Sequence, residues 1–321
     1  MENSSKAKII KTIKILIIIV IIAVTTISII QNIINVKEIE SIEEREFNLL
    51  KKIQERNSAI NKFIEKALET YGYTDLYSKP YIPQDFTYVE GEWNNGYVIK
   101  DNLGNQYVWV PCVLYDNENV TKLQRKDFDF NEANVLRGFE GFKNELNETI
   151  ETCYEGDINI EKFIDSVGKN GGFYIGRYET GKEEYMAVIK ADTIPYTNVK
   201  YEEVQKIADN FYKGKDITCS LINGLAYDTT LSWLEKSYKN FAISTGSSGN
   251  KSAVIKNTGI FSVNNIFDLN GNAYEMTTEI VDENLIVLRG SMLFDYEAGC
   301  RTLISKDSTL DYIGFRMILY N

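Results

Sequence analysis

The pattern of apolar residues changes along the chain. Its first part is a long apolar stretch that predicts a membrane span. Residues 15–35 are apolar except for scattered Thr, Ser, Gln and Asn side chains. About 20 apolar residues in a helix span a bilayer core, so this stretch predicts a transmembrane helix. Lysines dominate residues 1–14, so the positive-inside rule places this basic tail in the cytoplasm and the rest of the chain outside. A cleavable signal peptide is disfavoured because no small-x-small site precedes the polar region.

Residues 36–72 continue with apolar positions at helical spacing, which predicts a helical stalk. The apolar seam is interrupted by Glu43, Glu46 and Asn57, so it would support only a weak coiled coil. Two interpretations remain open: copies of the chain self-associate through the stalk, or the apolar stripe packs on the following domain. Pro80 and Pro83 indicate an extended linker over residues 73–85.

Residues 86–321 show short alternating strands, turns and amphipathic helices, a pattern that predicts an α+β domain with long irregular connections. A β-hairpin is predicted between Tyr97 and Pro111. Further strands are predicted at Phe173–Glu179, Tyr185–Ala191, Ile286–Arg289 and Gly314–Leu319. Helices are predicted at Ile158–Val167, Val199–Asp209 and Ser220–Tyr238.

Composition and charge exclude several classes of function. The chain is 44% apolar and 25% charged, as is usual for a folded domain. Its net charge of −11 argues against a nucleic-acid partner, because phosphate binding needs a concentrated basic surface. The sequence contains no histidine, which excludes Ser-His-Asp and Cys-His sites, imidazole zinc sites and two-His-one-carboxylate iron centres.

The stretch Asn265–Thr277 carries the most distinctive candidate chemistry. Asp268, Asn270 and Asn272 alternate around a glycine, and Glu275 follows three residues later. Such a turn brings oxygen ligands together as a hard cation such as calcium requires, although the spacing is not that of an EF-hand. The alternative is a turn without metal, because Asn, Asp and Gly tolerate unusual backbone angles.

The same stretch resembles the Asn-Ile-x-Asp-x-x-Gly-Asn-x-x-Glu-x-Thr signature of the formylglycine-generating (sulfatase-modifying factor) family. Other segments resemble that family's motifs in the same order: Gly172–Glu179, Cys219–Asp228 with Leu231–Trp233, Arg289–Ser291, Arg301 and Gly314–Arg316. The resemblance implies a C-type-lectin-like fold for residues 86–321.

The resemblance also implies a structural calcium site. Carried over position by position, its ligands are the side chains of Asp268 and Glu275 and the backbone carbonyls of Gly271 and Ala273. Two carboxylates on a tight turn suit a hard ion, so we expect the ion to cross-link a long loop.

The catalytic part of the family pattern is missing. Family members use two cysteines, five positions apart, and paired thiolates suit Cu(I). The corresponding stretch here, Met292–Cys300, has one cysteine, directly before Arg301. We therefore assign no catalytic or cofactor-binding residues, expect no copper, and expect Cys300 to be buried.

The remaining arginines and cysteines have structural interpretations. We expect Arg289, Arg301 and Arg316 to be buried and paired with carboxylates such as Glu275 or Glu279. The four cysteines, Cys112, Cys153, Cys219 and Cys300, leave both disulfides and free thiols open.

The favoured function is a membrane-anchored binding or scaffold module that presents its domain outside the cell to an unknown protein or glycan. One alternative is a formylglycine-generating-type oxidoreductase. The other is a surface-appendage subunit, because the basic start and Ile-rich helix resemble type IV prepilin leaders. The chain lacks two features of those leaders: the Gly-Phe cleavage pair and the glutamate five residues after it.

Overall fold

The computed structural model describes residues 37, 60–126, 128, 160–244, 255–280, 284–290 and 297–321, and the backbone alone at 142–143, 149–151 and 154–155. The chain divides into two units, Met1–Gln54 and Glu55–Asn321, and every described residue except Lys37 belongs to the second. The predicted basic tail, the predicted transmembrane helix 15–35 and most of the stalk before residue 60 lie outside these ranges. Within them, no helix combines the length and apolar character needed to cross a membrane.

The helices follow the amphipathic stretches of the sequence. They are α1 (60–71), α2 (Ile160–Asn170), α3 (Tyr201–Phe211) and α4 (Gly224–Ser237), with short 3-10 helices at Leu76–Ser78 and Phe241–Ile243.

Helix α1 packs on the domain through its apolar stripe. Ile60 and Ala67 are buried, and the neighbouring Phe63 and Leu68 pack against the same core. A Cβ atom at Gly168 of α2 would lie 3.3 Å from the Cβ of Ala67, so the missing side chain permits this close approach. In the described part of the predicted stalk, the stripe therefore serves domain packing.

The strands are short and numerous. In chain order they are β1 (Phe86–Glu90), β2 (Val98–Asp101), β3 (Gln106–Val113), β4 (Thr121–Lys122), β5 (Phe142–Lys143), β6 (Thr149–Glu151), β7 (Tyr154–Glu155), β8 (Gly172–Gly176), β9 (Gly181–Glu183), β10 (Met186–Val188), β11 (Ile194–Pro195), β12 (Thr218–Leu221), β13 (Ser262–Val263), β14 (Ile266–Phe267), β15 (Tyr274–Ile280), β16 (Leu285–Arg289), β17 (Arg301–Ser305), β18 (Ile313–Phe315) and β19 (Met317–Tyr320). Together with the helices they confirm the α+β prediction.

The central strands of the main sheet are buried on both faces. Its strand order is β1-β2-β3-β8-β19-β12, and β4 extends it beside β3. Alternate residues belong to opposite cores: Val108 and Val110 face one core with α2 and α4, while Tyr107 and Trp109 face the other with α3. Because both faces of β3 are buried, its sequence is an almost continuous apolar run.

A second sheet carries the candidate site. Its order is β17-β16-β15-β18, with β7 also paired to β15, and β15 runs parallel to β18. Arg316 alone separates β18 from β19, so the chain passes from the second sheet to the main sheet at this residue. The other sheets are small: β10-β9-β11, β13-β14 and β5-β6.

Some predicted boundaries were wrong. The strand predicted at Gly314–Leu319 is interrupted at Arg316 and divides into β18 and β19, which belong to different sheets. The helix predicted at Ser220–Tyr238 begins at Gly224, because Thr218–Leu221 pairs with β19 as strand β12. The Asn223 side chain accepts the Ala226 backbone N–H at 2.7 Å and caps the helix. Pairing with a strand nearly 100 residues away along the chain overrides the local helical pattern.

Candidate functional site

The predicted turn lies between two sheets. Asn264 and Asn265 form the two-residue connection of the β13–β14 hairpin, both at positive φ, as tight hairpins require. The chain then leaves β14, turns through residues 268–273 and enters β15. Asp268, Gly271 and Asn272 all have positive φ, so the special backbone angles expected of this composition are present.

Asp268 anchors a neighbouring loop. It is 2% exposed, and its carboxylate accepts backbone N–H bonds from Gly259, Ile260 and Phe261 at 2.6 to 3.3 Å. Burial raises the pKa of Asp268, while the three N–H donors act in the opposite direction. The side chain thus ties the turn to residues 259–261.

Glu179 supports the turn from the end of the β8 segment. Its carboxylate accepts the Asn272 side-chain amide at 2.6 Å and the Ala273 backbone N–H at 2.9 Å. Burial, followed by the nearby charges of Asp268 and Glu275, raises the pKa of Glu179 well above its ordinary value. Sequence reasoning did not single out this residue, although it ends one of the family-like motifs.

Glu275 pairs with Arg316. The guanidinium donates to Oε1 of Glu275 through Nε at 2.8 Å, and it also donates to the backbone carbonyls of Gly176 and Phe267, each at 2.9 Å. Burial raises the pKa of Glu275, opposed by the guanidinium of Arg316. One arginine therefore joins the second sheet, the main sheet and the predicted turn.

A second charged network surrounds Asp228 on α4. The nitrogens of Arg125, Arg289 and Arg301 lie 2.8, 2.6 and 2.9 Å from its carboxylate oxygens. Glu279 pairs with Arg125, and it pairs with Arg289 at 3.1 Å. The two carboxylates have fully buried side chains, and each lies against more than one of the three guanidiniums.

The three guanidiniums determine the ionisation of both acids. Burial alone would raise the pKa values of Asp228 and Glu279. The guanidiniums outweigh that effect and hold both pKa values below their ordinary range. Both acids are therefore charged at neutral pH.

Tyr227 lies between the two networks. The guanidinium carbon of Arg289 is 4.5 Å from the centroid of its ring, a cation–π distance. Its hydroxyl lies 3.4 Å from the carbonyl oxygens of both Leu269 and Ala298. Helix α4 thus supplies neighbouring residues, Tyr227 and Asp228, that touch the turn and the arginine cluster.

The structure confirms the structural interpretation of the arginines. Arg289, Arg301 and Arg316 are at most 2% exposed, and they pair with Glu275 and Glu279 as expected. Asp228 and Arg125 were missed. Asp228 could have been found as a charged residue among the apolar, inward-facing positions of α4. No sequence pattern marks the role of Arg125.

The two side chains among the predicted calcium ligands have protein partners in this structure. Asp268 is occupied by backbone donors, while Oε1 of Glu275 is occupied by Arg316. Two other buried oxygens, Oε2 of Glu275 and Oδ1 of Asn270, have no hydrogen-bond partner among the residues that the structure describes. Among the described residues, no three His, Cys, Asp or Glu side chains form a metal-binding group. A cation at this turn would therefore rely on Glu275 Oε2, Asn270 Oδ1 and backbone carbonyls, all hard oxygen ligands.

The described cysteines, Cys112, Cys219 and Cys300, are buried, and Cys112 and Cys219 are free thiols. Cys153 lies outside the described residues. Cys300 is 2% exposed, as expected, and its sulfur lies 3.9 Å from the Thr302 hydroxyl.

Comparisons with known proteins add limited information. No family model matches the chain, and neither does any curated protein. Among solved structures, PvdO from Pseudomonas aeruginosa has a TM-score of 0.41 and 13% identity, covering 70% of this chain and 98% of PvdO. Treponema denticola variable protein 1 has a TM-score of 0.25 and 12% identity, covering 75% and 93%. Both likenesses are too distant to carry a functional argument.

We predict that Asp228→Asn strongly destabilises the fold. The substitution keeps the side-chain shape but removes the charge that pairs with Arg125, Arg289 and Arg301. Breaking a buried charge pair in this way costs about 3–5 kcal/mol. The measurement is urea unfolding of the full-length protein in detergent. Asp307→Asn is the matched control, because that side chain is 89% exposed in its pair with Lys200. An equal, small effect for both variants would contradict the prediction.

We also predict maximal stability at about pH 5 rather than at neutrality. Asp228 and Glu279 have lowered pKa values, so their contribution is present above their unfolded pKa values and is lost as the pH falls further. Glu179 has a raised pKa, so its contribution is complete below its unfolded pKa and is lost as the pH rises. Asp268 and Glu275 act in the same direction as Glu179.

Urea unfolding over a pH series checks this profile. Glu179→Gln should flatten the decline between about pH 5 and 7 while leaving the loss of stability at lower pH unchanged. A wild-type profile that rises steadily to neutral pH would show that the turn carboxylates do not set the pH dependence.

Proposed function

We propose that the chain is a membrane-anchored binding or scaffold module. The predicted helix 15–35 holds it in the membrane, and its C-terminal domain lies outside the cytoplasm and binds a protein or glycan through surface loops. We further propose that residues 86–321 form a sulfatase-modifying-factor-like domain of C-type-lectin-like fold that lacks the oxidase chemistry of that family.

The observation that supports this proposal is that the arginines of the family-like motifs are buried and paired with carboxylates. Arg289, Arg301 and Arg316 lie in the motifs that resemble the family, and each pairs with a buried carboxylate. Groups that are buried and paired in this way stabilise loops, and their burial keeps a substrate away from them. The stretch before Arg301 also supplies one cysteine rather than two.

The surface loops of the domain are the candidate binding region. Long connections between short strands lie at the surface, where binding residues are commonly found on a rigid scaffold. Partly exposed aromatic side chains are available there: Tyr88 is 50% exposed and Tyr238 is 44% exposed. A buried ionic framework beneath such loops holds them in place without taking part in binding.

Three measurements on cells and on the purified chain test the proposal. The full-length protein should fractionate with membranes, and protease added to intact cells should remove its C-terminal domain. The detergent-solubilised full chain should also bind the isolated cell-envelope fraction. Recovery in the soluble cytoplasmic fraction, or absence of envelope binding, would overturn the proposal. Copper-dependent oxygen uptake with a cysteine-containing sulfatase-motif peptide would support the oxidoreductase alternative instead.

We retain structural calcium at the turn as part of the proposal. A ligand that binds only the folded state stabilises it, so graded calcium should raise the Tm of the full-length protein relative to EDTA. Asp268→Asn should lower the Tm even in EDTA, because the carboxylate anchors residues 259–261. Asn270→Ala removes one of the two available side-chain oxygens and should abolish the rise with calcium, whereas Asp311→Asn, at an exposed position, should preserve that rise.

The calcium test compares the Tm of each protein in EDTA with its Tm in calcium. A lower Tm of Asp268→Asn alone reports only the lost anchor. Identical wild-type melts in EDTA and in calcium would mean that the turn is held by Arg316 and backbone donors without a metal ion.

A further inference from the structure

The chain contains four Asn-Gly pairs, and the fold places them in different surroundings. They are Asn95-Gly96, Asn170-Gly171, Asn223-Gly224 and Asn270-Gly271. An asparagine before a glycine is open to a spontaneous reaction in which the glycine nitrogen attacks the side-chain carbonyl carbon of the asparagine. Glycine favours this attack because it has no side chain to crowd its nitrogen and because its backbone is conformationally permissive.

Three of the four pairs are held against this reaction. Asn223 and Asn270 are 0% and 1% exposed, and the Asn223 side chain is also fixed by the hydrogen bond that caps α4. Asn170 ends α2, where the nitrogen of Gly171 already donates to the carbonyl of Val167 at 2.8 Å. Burial keeps water from the first two side chains, and the Gly171 N–H would have to give up its hydrogen bond before it could react.

The pair Asn95-Gly96 is open. Asn95 is exposed in the turn between β1 and β2, and the backbone N–H of Glu92 donates to its side-chain oxygen at 2.8 Å. A donor at this oxygen stabilises the negative charge that develops when the carbonyl carbon is attacked, as oxyanion-hole donors do in enzymes. The N–H of Gly96 makes no hydrogen bond with the residues that the structure describes. Its carbonyl, instead, accepts the Asn265 side-chain amide at 2.8 Å.

We propose that Asn95 is a site of spontaneous deamidation, with water as the co-reactant. The Gly96 nitrogen loses its proton and bonds to the side-chain carbonyl carbon of Asn95, the bond from that carbon to the amide nitrogen breaks, and ammonia leaves. Water then opens the resulting cyclic imide at either carbonyl, which gives aspartate or isoaspartate. The net change is hydrolysis of an amide to a carboxylate, and nothing is oxidised or reduced.

The products alter the contact between two hairpins. Either product adds a negative charge to a loop that already carries the exposed Glu92. Isoaspartate also carries the main chain through the side-chain carbon of residue 95, so it lengthens the loop. Gly96 has little room to absorb the change, because a Cβ there would lie 2.4 Å from the backbone oxygen of Asn264. We therefore expect isoaspartate to loosen the packing of the β1–β2 loop on the β13–β14 hairpin.

The test is peptide mapping by mass spectrometry after incubation of the full-length protein in detergent at neutral and at mildly alkaline pH. Asn95 should convert to aspartate and isoaspartate at least about tenfold faster than the other three asparagines, a barrier difference of about 1.4 kcal/mol. The rate should rise with pH, because the attacking nitrogen must lose its proton. Asn94 is the internal control, since it is exposed in the same turn but precedes a residue with a side chain. Unfolding in urea should remove the difference among the four Asn-Gly pairs.

Several results would overturn the assignment. One is an Asn95 that keeps its amide in the folded protein while the urea-unfolded chain converts, and another is conversion of Asn94 at the same rate. Aspartate without isoaspartate is a third, because direct hydrolysis does not pass through the cyclic imide.

A variant tests the effect on the hairpins. Asn95→Gln keeps the amide but resists the reaction, because its longer side chain closes a less favourable ring. Incubation should lower the Tm of the wild type and leave that of Asn95→Gln unchanged. An unchanged Tm of a wild type that has accumulated isoaspartate would overturn the expected loosening.

Discussion

The pairing of buried guanidiniums with buried carboxylates is the interaction on which the rest of this domain depends. Arg316 occupies the single position between β18 and β19, where the chain leaves one sheet for the other. Its bonds reach Glu275 in the second sheet, Gly176 in the main sheet and Phe267 before the turn. Without that side chain, the three segments would lose a contact that they share, although Phe267 also donates its backbone N–H to the Arg177 carbonyl.

Buried ion pairs contribute more to the specificity of the arrangement than to its net stability. Removing charges from water costs several kcal/mol per ion, and good geometry roughly offsets that cost. A domain with many short strands needs such directional contacts, because apolar packing alone does not distinguish closely similar loop placements. The Asp228 cluster has this role: it brings together the segment before residue 126, helix α4 and strands β15, β16 and β17.

Much of this arrangement could be predicted from the sequence, and the failures share one physical reason. Periodicity indicated the α+β class, and the motif arginines were expected to pair with Glu275 or Glu279. The roles of Asp228, Arg125 and Glu179 depend on neighbours that are distant along the chain: Arg125 and Glu279 are 154 residues apart. The local sequence pattern contains no information about contacts between such distant residues. The start of α4 was misplaced for the same reason, because β12 forms by pairing with the distant β19. The membrane helix lies outside the described residues and stays a prediction.

The position of β19 has a consequence for biosynthesis. Met317–Tyr320 pairs with both β8 and β12, so this late segment separates two strands that were made about 100 residues or more earlier. Until it emerges, β8 and β12 each present an unpaired edge, and such edges readily associate with other chains. The main sheet can therefore close only after residue 320 has been synthesised, which favours chaperone protection of β8 and β12 until then.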